Sequence, residues 1–355
     1  MRLPFLLAAA VLVAGFPAAR LGDGLAAIEL GAPAEAQSGG LSEAGFRAWL
    51  PHLRREAEQA GVTRATLDRV FPALTFSART IELDRGQPGG TAGSTATPPF
   101  APYRDRHLTS ALISRGRSRY AANIERLNAI GRRYGVPPSV LVAIWGKETG
   151  YGSIMGDFDL LNSLASLAYE GRRRELFTGE FIATLKMMDR GFPRSQLRGS
   201  WAGATGQSQF LPSVYIRLAV DGDGDGRADI WRSELDALAS IANYLNNAGW
   251  RPGIPWGTAV RVPAGFDRAE VRNRLRSPRC PRVHERHSRW LSAEEWRRRG
   301  IGNGLPDGTL ASLLEPDGPG ATAYLLTTNY RTILDYNCSN FYALTVGLLA
   351  DSVAR

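Results

Sequence analysis

Val140-Leu141-Val142-Ala143-Ile144-Trp145-Gly146-Lys147-Glu148-Thr149-Gly150-Tyr151-Gly152 is the stretch on which the reading of this chain turns. Val140, Leu141, Ile144 and Trp145 recur at the spacing of one helical face, and Val136-Pro137-Pro138-Ser139 ahead of them puts proline near a first turn. Glu148 follows Leu141 by seven positions, Ile144 by four and Trp145 by three, so its carboxyl projects from the apolar stripe. Desolvation there disfavours the charged form and leaves a carboxylic acid able to donate a proton near neutral pH. A buried glutamate neutralised by an arginine, or holding a backbone amide at the helix end, is the plainer alternative. Gly150 and Gly152 weigh against it, because they stop the helix just past the acid and let a ligand approach closely.

Upstream, residues 108–134 are rich in Ala, Arg, Leu and Ile and end at Gly135, which predicts one long helix stopping there. Residues 86–102 are built mostly of Gly, Pro, Ser, Thr and Ala with almost no charge, the composition of a flexible linker. Before it, Phe46, Leu50 and Leu53, then Val62, Leu67 and Val70 beyond the break at Gly61, predict two short helices. At the start, Arg2 precedes an apolar run from Leu3 to Ala19, and Ala34-Glu35-Ala36 supplies a small-residue cleavage site, so 1–36 reads as a signal peptide. The run is shorter than the roughly 20 apolar residues a bilayer core requires and is broken by Gly15 and Pro17. A cleaved, periplasmic protein with no membrane anchor is therefore expected.

Downstream, β-branched and aromatic residues at 258–262 and 323–328 predict strands. Between Arg268 and Arg299 eleven Arg stand against four Glu, interleaved with Trp290 and Trp296, which is either a solvated face or a ligand-facing surface. Cys280 and Cys338 are the two cysteines, and export would place them where thiols oxidise, so a disulfide is expected. The net charge of +9, about +10 for residues 37–355, favours acidic partners. An exported protein rarely meets nucleic acid, whereas wall peptides and envelope lipids offer carboxylates and phosphates; no nucleic-acid partner is expected. No His spacing supports zinc.

Asp221, Asp223 and Asp225 alternate with glycines, and Arg227 could offer its carbonyl at the seventh position of a calcium loop. Position twelve is Arg232 where a bidentate Glu is usual, so a later acid such as Asp236 would have to close the shell. Exposed Asp-Gly turns without a metal are the alternative. Asp157 and Asp159 read as turn or helix-capping residues in preference to catalytic ones.

Several ordered motifs, taken together, resemble the lytic murein transglycosylases of the membrane-bound B type, including their soluble periplasmic forms. They are 134–138, 145–152, the run from Gly199 to Tyr215 containing Gly206-Gln207-Ser208-Gln209-Phe210, the Asp-Gly run from Val220 to Trp231, 242–245 and 336–342. The resemblance implies an α+β, mainly helical fold: a lysozyme-like core, a helical N-terminal segment and a small inserted lobe with short strands. The spans would be 1–36 signal peptide, 37–85 helical segment, 86–102 linker, 103–251 catalytic core, 252–320 Arg-rich insert, and 321–355 returning to complete the cleft. It further implies that Glu148 protonates the MurNAc–GlcNAc glycosidic oxygen and then, as carboxylate, deprotonates the muramoyl 6-hydroxyl, giving a 1,6-anhydro end. Such a route explains why no second carboxylate is evident, since ordinary glycosidases need a flanking pair. Ser200, Gln209, Phe210, Tyr244, Tyr336, Asn337 and Tyr342 match the family's cleft positions, and its calcium loops close late, as Asp236 would. Peptidoglycan strands are the implied partner, the protein a monomer, and catalysis needs no cofactor beside a possible structural calcium. A lysozyme-type hydrolase, a non-catalytic wall-binding scaffold and a calcium-regulated interaction protein remain as alternatives.

Overall fold

A computed structural model describes residues 40–86 and 98–355. The segment read as a signal peptide, and residues 87–97 of the stretch read as linker, lie outside the described residues. The rest is mainly helical with two small sheets, as the α+β expectation required.

Three capped helices open the chain: α1 (Glu43–Gln59), α2 (Arg64–Val70) and α3 (Ala78–Arg85). The hydroxyls of Ser42, Thr63 and Ser77 accept the exposed first-turn amides of Gly45, Thr66 and Thr80, respectively. Next come α4 (Phe100–His107), α5 (Ser110–Ala122), α6 (Ile124–Tyr134) and α7 (Pro138–Thr149). Helix α4 begins inside the stretch read as linker, because Phe100 is buried against Phe341, with ring centroids 5.5 Å apart. The single helix expected over 108–134 is two. Asn123 breaks it, its side-chain amide donating to the Arg119 carbonyl (3.2 Å) that its own backbone N–H would take in a continuous helix. Helix α6 does end at Gly135, in the left-handed conformation.

Strand β1 (Phe158–Asp159) leads into α8 (Leu160–Glu170), then α9 (Arg174–Asp189), β2 (Arg198–Gly199), α10 (Pro212–Leu218) and α11 (Glu234–Asn247); β1 and β2 pair antiparallel. Asp159 caps α8 through the Asn162 amide (3.0 Å) and pairs with Arg194 (2.8 Å), the structural role its position suggested. The lobe that follows holds β3 (Gly257–Val260), α12 (Pro281–His284), β4 (Leu291–Ser292), α13 (Ala293–Arg298), β5 (Leu310–Leu314) and β6 (Ala323–Thr327), its strands in antiparallel order β3-β6-β5-β4. Helices α14 (Thr328–Tyr336) and α15 (Asn340–Val353) close the chain.

Three apolar clusters organise these elements. One joins α6, α7, α11, α14 and α15. A second joins the N-terminal helices, including the predicted Phe46, Leu50, Leu53, Leu67 and Val70, to α8, α9 and α10. The third lies within the lobe, around Trp296, Leu313 and Leu325. Strand β6 belongs to two of them: Ala323 and Leu325 face the lobe core while Tyr324 and Leu326 face the central one, as alternation along a strand dictates. Each buried leucine contributes about 1.5–3 kcal/mol, so β6 rivets lobe to body from both faces. The expected disulfide is present between Cys280 and Cys338 and adds a covalent rivet near the same seam.

Candidate active site

Helix α7 is buried almost all round, and its last turn carries Glu148. The turn beyond is tight: Gly150, Tyr151 and Gly152 all have positive φ (57°, 63° and 79°). A β-carbon at Gly152 would lie 2.5 Å from Gln207 Oε1, so the glycine is required by the close approach of the 199–210 loop. Gln207 does the stapling. Its Oε1 accepts from Trp145 Nε1 (2.9 Å), and its backbone carbonyl accepts from Thr149 Oγ1 (3.0 Å), which in turn accepts the Gly152 amide (3.0 Å). The end of α7 is thus fixed from residues on either side of the acid.

Tyr342, in the first turn of α15, donates its hydroxyl to Glu148 Oε1 at 2.5 Å. Among the described residues no arginine or lysine forms an ion pair with Glu148 within 4 Å, so the neutralised-glutamate alternative is not what the fold builds. Burial pushes the carboxyl up to about 7, opposed by the Tyr342 hydrogen bond and then by the Lys147 charge. Lys147 is itself pushed down by burial and partly restored by Glu148; its ammonium lies 5.5 Å from the Tyr103 ring centre and 5.9 Å from that of Tyr342. The titratable side chains that face Glu148 are therefore Lys147, Tyr103, Tyr336 and Tyr342, and the three phenols are all held above their ordinary value, first by burial and then by the carboxylate. A carboxyl balanced near neutrality can both give and take a proton.

Tyr336, which faces Glu148, forms an aromatic triangle with Phe210 and Tyr244, the centroids 5.8 Å (Phe210–Tyr244), 6.0 Å (Phe210–Tyr336) and 4.8 Å (Tyr244–Tyr336) apart. With Gln209 they line a groove of about 410 Å³, whose other walls include Glu175, Glu180, Arg217, Arg279, Cys280 and Asp335; Glu148, Ser200, Asn337 and Tyr342 are not part of its lining. Tyr244 donates to the Asp335 carbonyl (2.7 Å) and Tyr336 to the Ser208 carbonyl (2.5 Å), which fixes both rings. Gln209 holds the left-handed conformation (φ 50°), uncommon for a residue with a side chain, and its amide donates to the Met155 and Gly206 carbonyls (3.1 and 2.9 Å). Ser200 sits at the mouth of the same loop, its hydroxyl accepting the Ala204 amide (3.0 Å). Neither Ser200 nor Gln209 bonds to Glu148; that contact comes from Tyr342. Buried polar atoms without a partner remain on Asn337 (Oδ1) and Ser208 (Oγ), the kind of orphan a ligand satisfies.

Sequence reasoning missed Gln207, Thr149, Lys147 and Tyr103. The first three stood inside the quoted motifs, and only their chemistry against Trp145 and Glu148 marks them; Tyr103 carries no local signal at all.

In the Asp-Gly loop, carboxylate oxygens of Asp221, Asp223 and Asp236 lie within 4.8 Å of one another, a group able to hold a metal ion. Asp236 is fully buried, and burial holds its carboxyl above the usual range, with the neighbouring Asp223 charge adding to it. Asp225 lies outside this group, capping the Arg227 amide (2.8 Å). Such a constellation fits a hard cation with oxygen ligands.

Comparison with known proteins completes the picture. Residues 45–351 match the family model described as the transglycosylase SLT domain. The membrane-bound lytic murein transglycosylase B of Escherichia coli (strain K12) is 33% identical over 296 residues, covering 81% of this chain and 74% of the relative. Among solved structures, SltB3 from Pseudomonas aeruginosa in complex with NAG-anhNAM-pentapeptide is 41% identical with a TM-score of 0.77, over 87% of this chain and 79% of that one. The Escherichia coli lytic transglycosylase Slt35 in complex with calcium is 28% identical with a TM-score of 0.68, over 88% and 93%. The lysozyme-like, mainly helical architecture expected from the motifs is thus the observed one. With the family model spanning almost all of the described chain and the relatives agreeing, the chain belongs to the transglycosylase SLT domain family and is, in class, a lytic murein transglycosylase.

Proposed function

We propose that this enzyme cuts the MurNAc–GlcNAc β-1,4 bond of peptidoglycan strands and leaves 1,6-anhydro-MurNAc ends, with Glu148 as the single acid and base. The observation that carries the reading is a carboxyl poised at about 7 whose one hydrogen-bond partner among the described residues is Tyr342 and which faces Tyr336, a wall of the aromatic groove. In the first step the Glu148 proton passes to the glycosidic oxygen as the C1–O4 bond breaks. Positive charge at C1 is met by the substrate's own N-acetyl oxygen. The Glu148 carboxylate then takes the proton from the 6-hydroxyl while O6 closes on C1, which regenerates the acid without consuming water. Proton transfers of this kind are fastest when the group's pKa lies near the working pH.

Two of the three acids that line the groove have other employment. Glu180 accepts from the Ser213 amide and hydroxyl (2.9 and 2.6 Å) at the start of α10, and Asp335 pairs with Arg279 (3.3 Å). Glu175, the third, is exposed with no side-chain partner among the described residues, so the acids of the groove do not by themselves separate the transglycosylase route from a hydrolase; the products do. Phe210, Tyr244 and Tyr336 would cover the apolar faces of pyranose rings, while Ser200, Gln209 and Asn337 would pair with their polar groups. The anhydro sugar in the ligand of the SltB3 structure supports the product. Asp221, Asp223 and Asp236, with Asp225 and the Arg227 carbonyl, would hold a calcium ion that pins the loop ahead of Tyr244; a relative solved with calcium supports this. The export signal read at 1–36 would deliver the protein to the periplasm as a monomer, where these glycans are; among the described residues no helix is long and apolar enough to cross a membrane.

Digestion of purified sacculi followed by mass spectrometry tests the proposal. Anhydromuramoyl ends, lost by a factor of about 10²–10⁴ in Glu148→Gln, are expected. Reducing sugar ends in their place would make the enzyme a hydrolase.

A further inference from the structure

We propose that the arginine loop of the inserted lobe, residues 272–282, is a docking strip for the carboxylates of the peptides that the wall polymer carries beside its glycan. This rests on the function just proposed and deepens it, since it names what grips the polymer outside the catalytic groove. Between Glu270 and Glu285 the chain contains no acid but five arginines, at 272, 274, 276, 279 and 282, all of them exposed. Some arginines elsewhere in the lobe are neutralised internally, Arg268 forking onto Glu315 (2.7 and 2.8 Å) and Arg297 pairing with Asp307, while the exposed Arg261, Arg289 and Arg298 are spread singly or beside glutamates rather than gathered on one acid-free loop. Arg274, Arg276 and Arg282 make no side-chain hydrogen bond or ion pair among the described residues.

The loop is also rigidly mounted. Asn273 donates to the His284 carbonyl (3.3 Å) and accepts the Leu275 amide (3.0 Å), Ser277 donates to the Arg279 carbonyl (2.6 Å), and Arg272 bridges to Ser288. Its end, Arg279-Cys280, is part of the groove wall, and Cys280 is bonded to Cys338, two residues from Tyr336. A strand lying in the groove therefore leaves it past this cationic strip. Arg279 pairs with Asp335, but Arg274, Arg276 and Arg282 are held together without counter-acids and repel one another, and a polyanion relieves the repulsion. Planar guanidinium groups match carboxylates in a two-pronged fit. An anionic membrane is a poorer occupant, because Leu275 is the one large apolar side chain the loop exposes, against the apolar face that surface insertion needs.

The test is co-sedimentation of full-length protein with sacculi. A Glu148→Gln background keeps the wall intact, so the result stands apart from whether the wild type forms anhydro ends. In that background Arg274→Ser/Arg276→Ser/Arg282→Ser should bind native sacculi about tenfold more weakly, each exposed ion pair accounting for about twofold. The corresponding triple lysine variant should recover most of the loss. On sacculi whose carboxylates have been converted to neutral amides with carbodiimide and ethanolamine, serine triple and parent should bind alike. Equal binding of the two to native sacculi overturns the proposal, as does an equal loss on both kinds of sacculi. It is overturned too if the triple instead loses binding only to phosphatidylglycerol vesicles, which would make the strip a membrane contact.

Discussion

Replacing Glu148 with glutamine should stabilise the protein, by an amount that grows with pH. The folded state holds the carboxyl at about 7 against an ordinary value of 4.5. Below 4.5 the group is protonated whether the chain is folded or not, and it contributes nothing to the pH dependence. Between 4.5 and 7 the folded state keeps a proton that the unfolded chain has released, so unfolding stability falls as pH rises, and above 7 the loss is complete. At ~1.36 kcal/mol per pH unit the full difference is about 3 kcal/mol, an upper figure because burial of a charge relaxes structure around it. Glutamine retains an oxygen for the Tyr342 hydroxyl and has no charge to desolvate. Urea unfolding of wild type and variant at pH 4.5, 6 and 8 should therefore show curves that separate progressively, the variant the more stable. Curves that stay parallel across that range would refute the claim that desolvation dominates this carboxyl, and with it the claim that it is a proton donor near neutrality.

Tyr342→Phe removes the one hydrogen bond that the described residues make to the acid's side chain. Since that bond favours the carboxylate, the alkaline limb of the pH–rate profile should move up by about one pH unit; Lys147→Met should move it the same way, and an unmoved limb in both would show that these neighbours do not set the acid's balance. Removing the Cys280–Cys338 bond, which closes a loop of 58 residues, should cost about 4 kcal/mol in urea unfolding, and intact mass with and without reductant confirms the bond itself. Calcium at a hundred times its Kd should stabilise the protein by about 2.7 kcal/mol, read as a rise in Tm that Asp236→Asn abolishes; an equal rise in the variant would place the ion elsewhere.

What the sequence made legible was whatever chemistry announces locally. Leu141, Ile144, Trp145 and Glu148 share a face by spacing alone, and Gly135 and Gly150 stop their helices because few other residues adopt a left-handed backbone. The break at Asn123 was not legible, since it depends on one side-chain amide outcompeting a backbone bond that composition favours. Nor was the early start of α4, where Phe100 is ordered by Phe341 more than two hundred residues away. The same distance hid Tyr103, Lys147 and Gln207, whose roles exist only once α4, α7, α15 and the 199–210 loop meet. Arginine-rich composition, by contrast, left both a solvated face and a ligand surface open, and the binding of sacculi by the variants at 274, 276 and 282 is what separates the two.

The cleft residues are aromatic for a reason that precedes sugar binding. Tyr244 and Tyr336 each pack against both large cores, the one that buries α7 and α15 and the one that buries α8, α9 and the N-terminal helices. The groove is the place where those cores fail to merge, and side chains there must be apolar enough to close two interfaces while carrying a polar end for the gap. Tyrosine meets both demands, and the hydroxyls that reach Ser208 and Asp335 lock the seam at a fixed width. An alanine at either position would therefore lose packing on two sides, costing about 3–5 kcal/mol if it behaves as a buried phenylalanine does. A fall in activity after such a change says little about sugar contact. Phenylalanine keeps the ring and removes only the lock, so a loss of turnover with Tyr336→Phe at unchanged stability isolates the width of the groove as the property that matters.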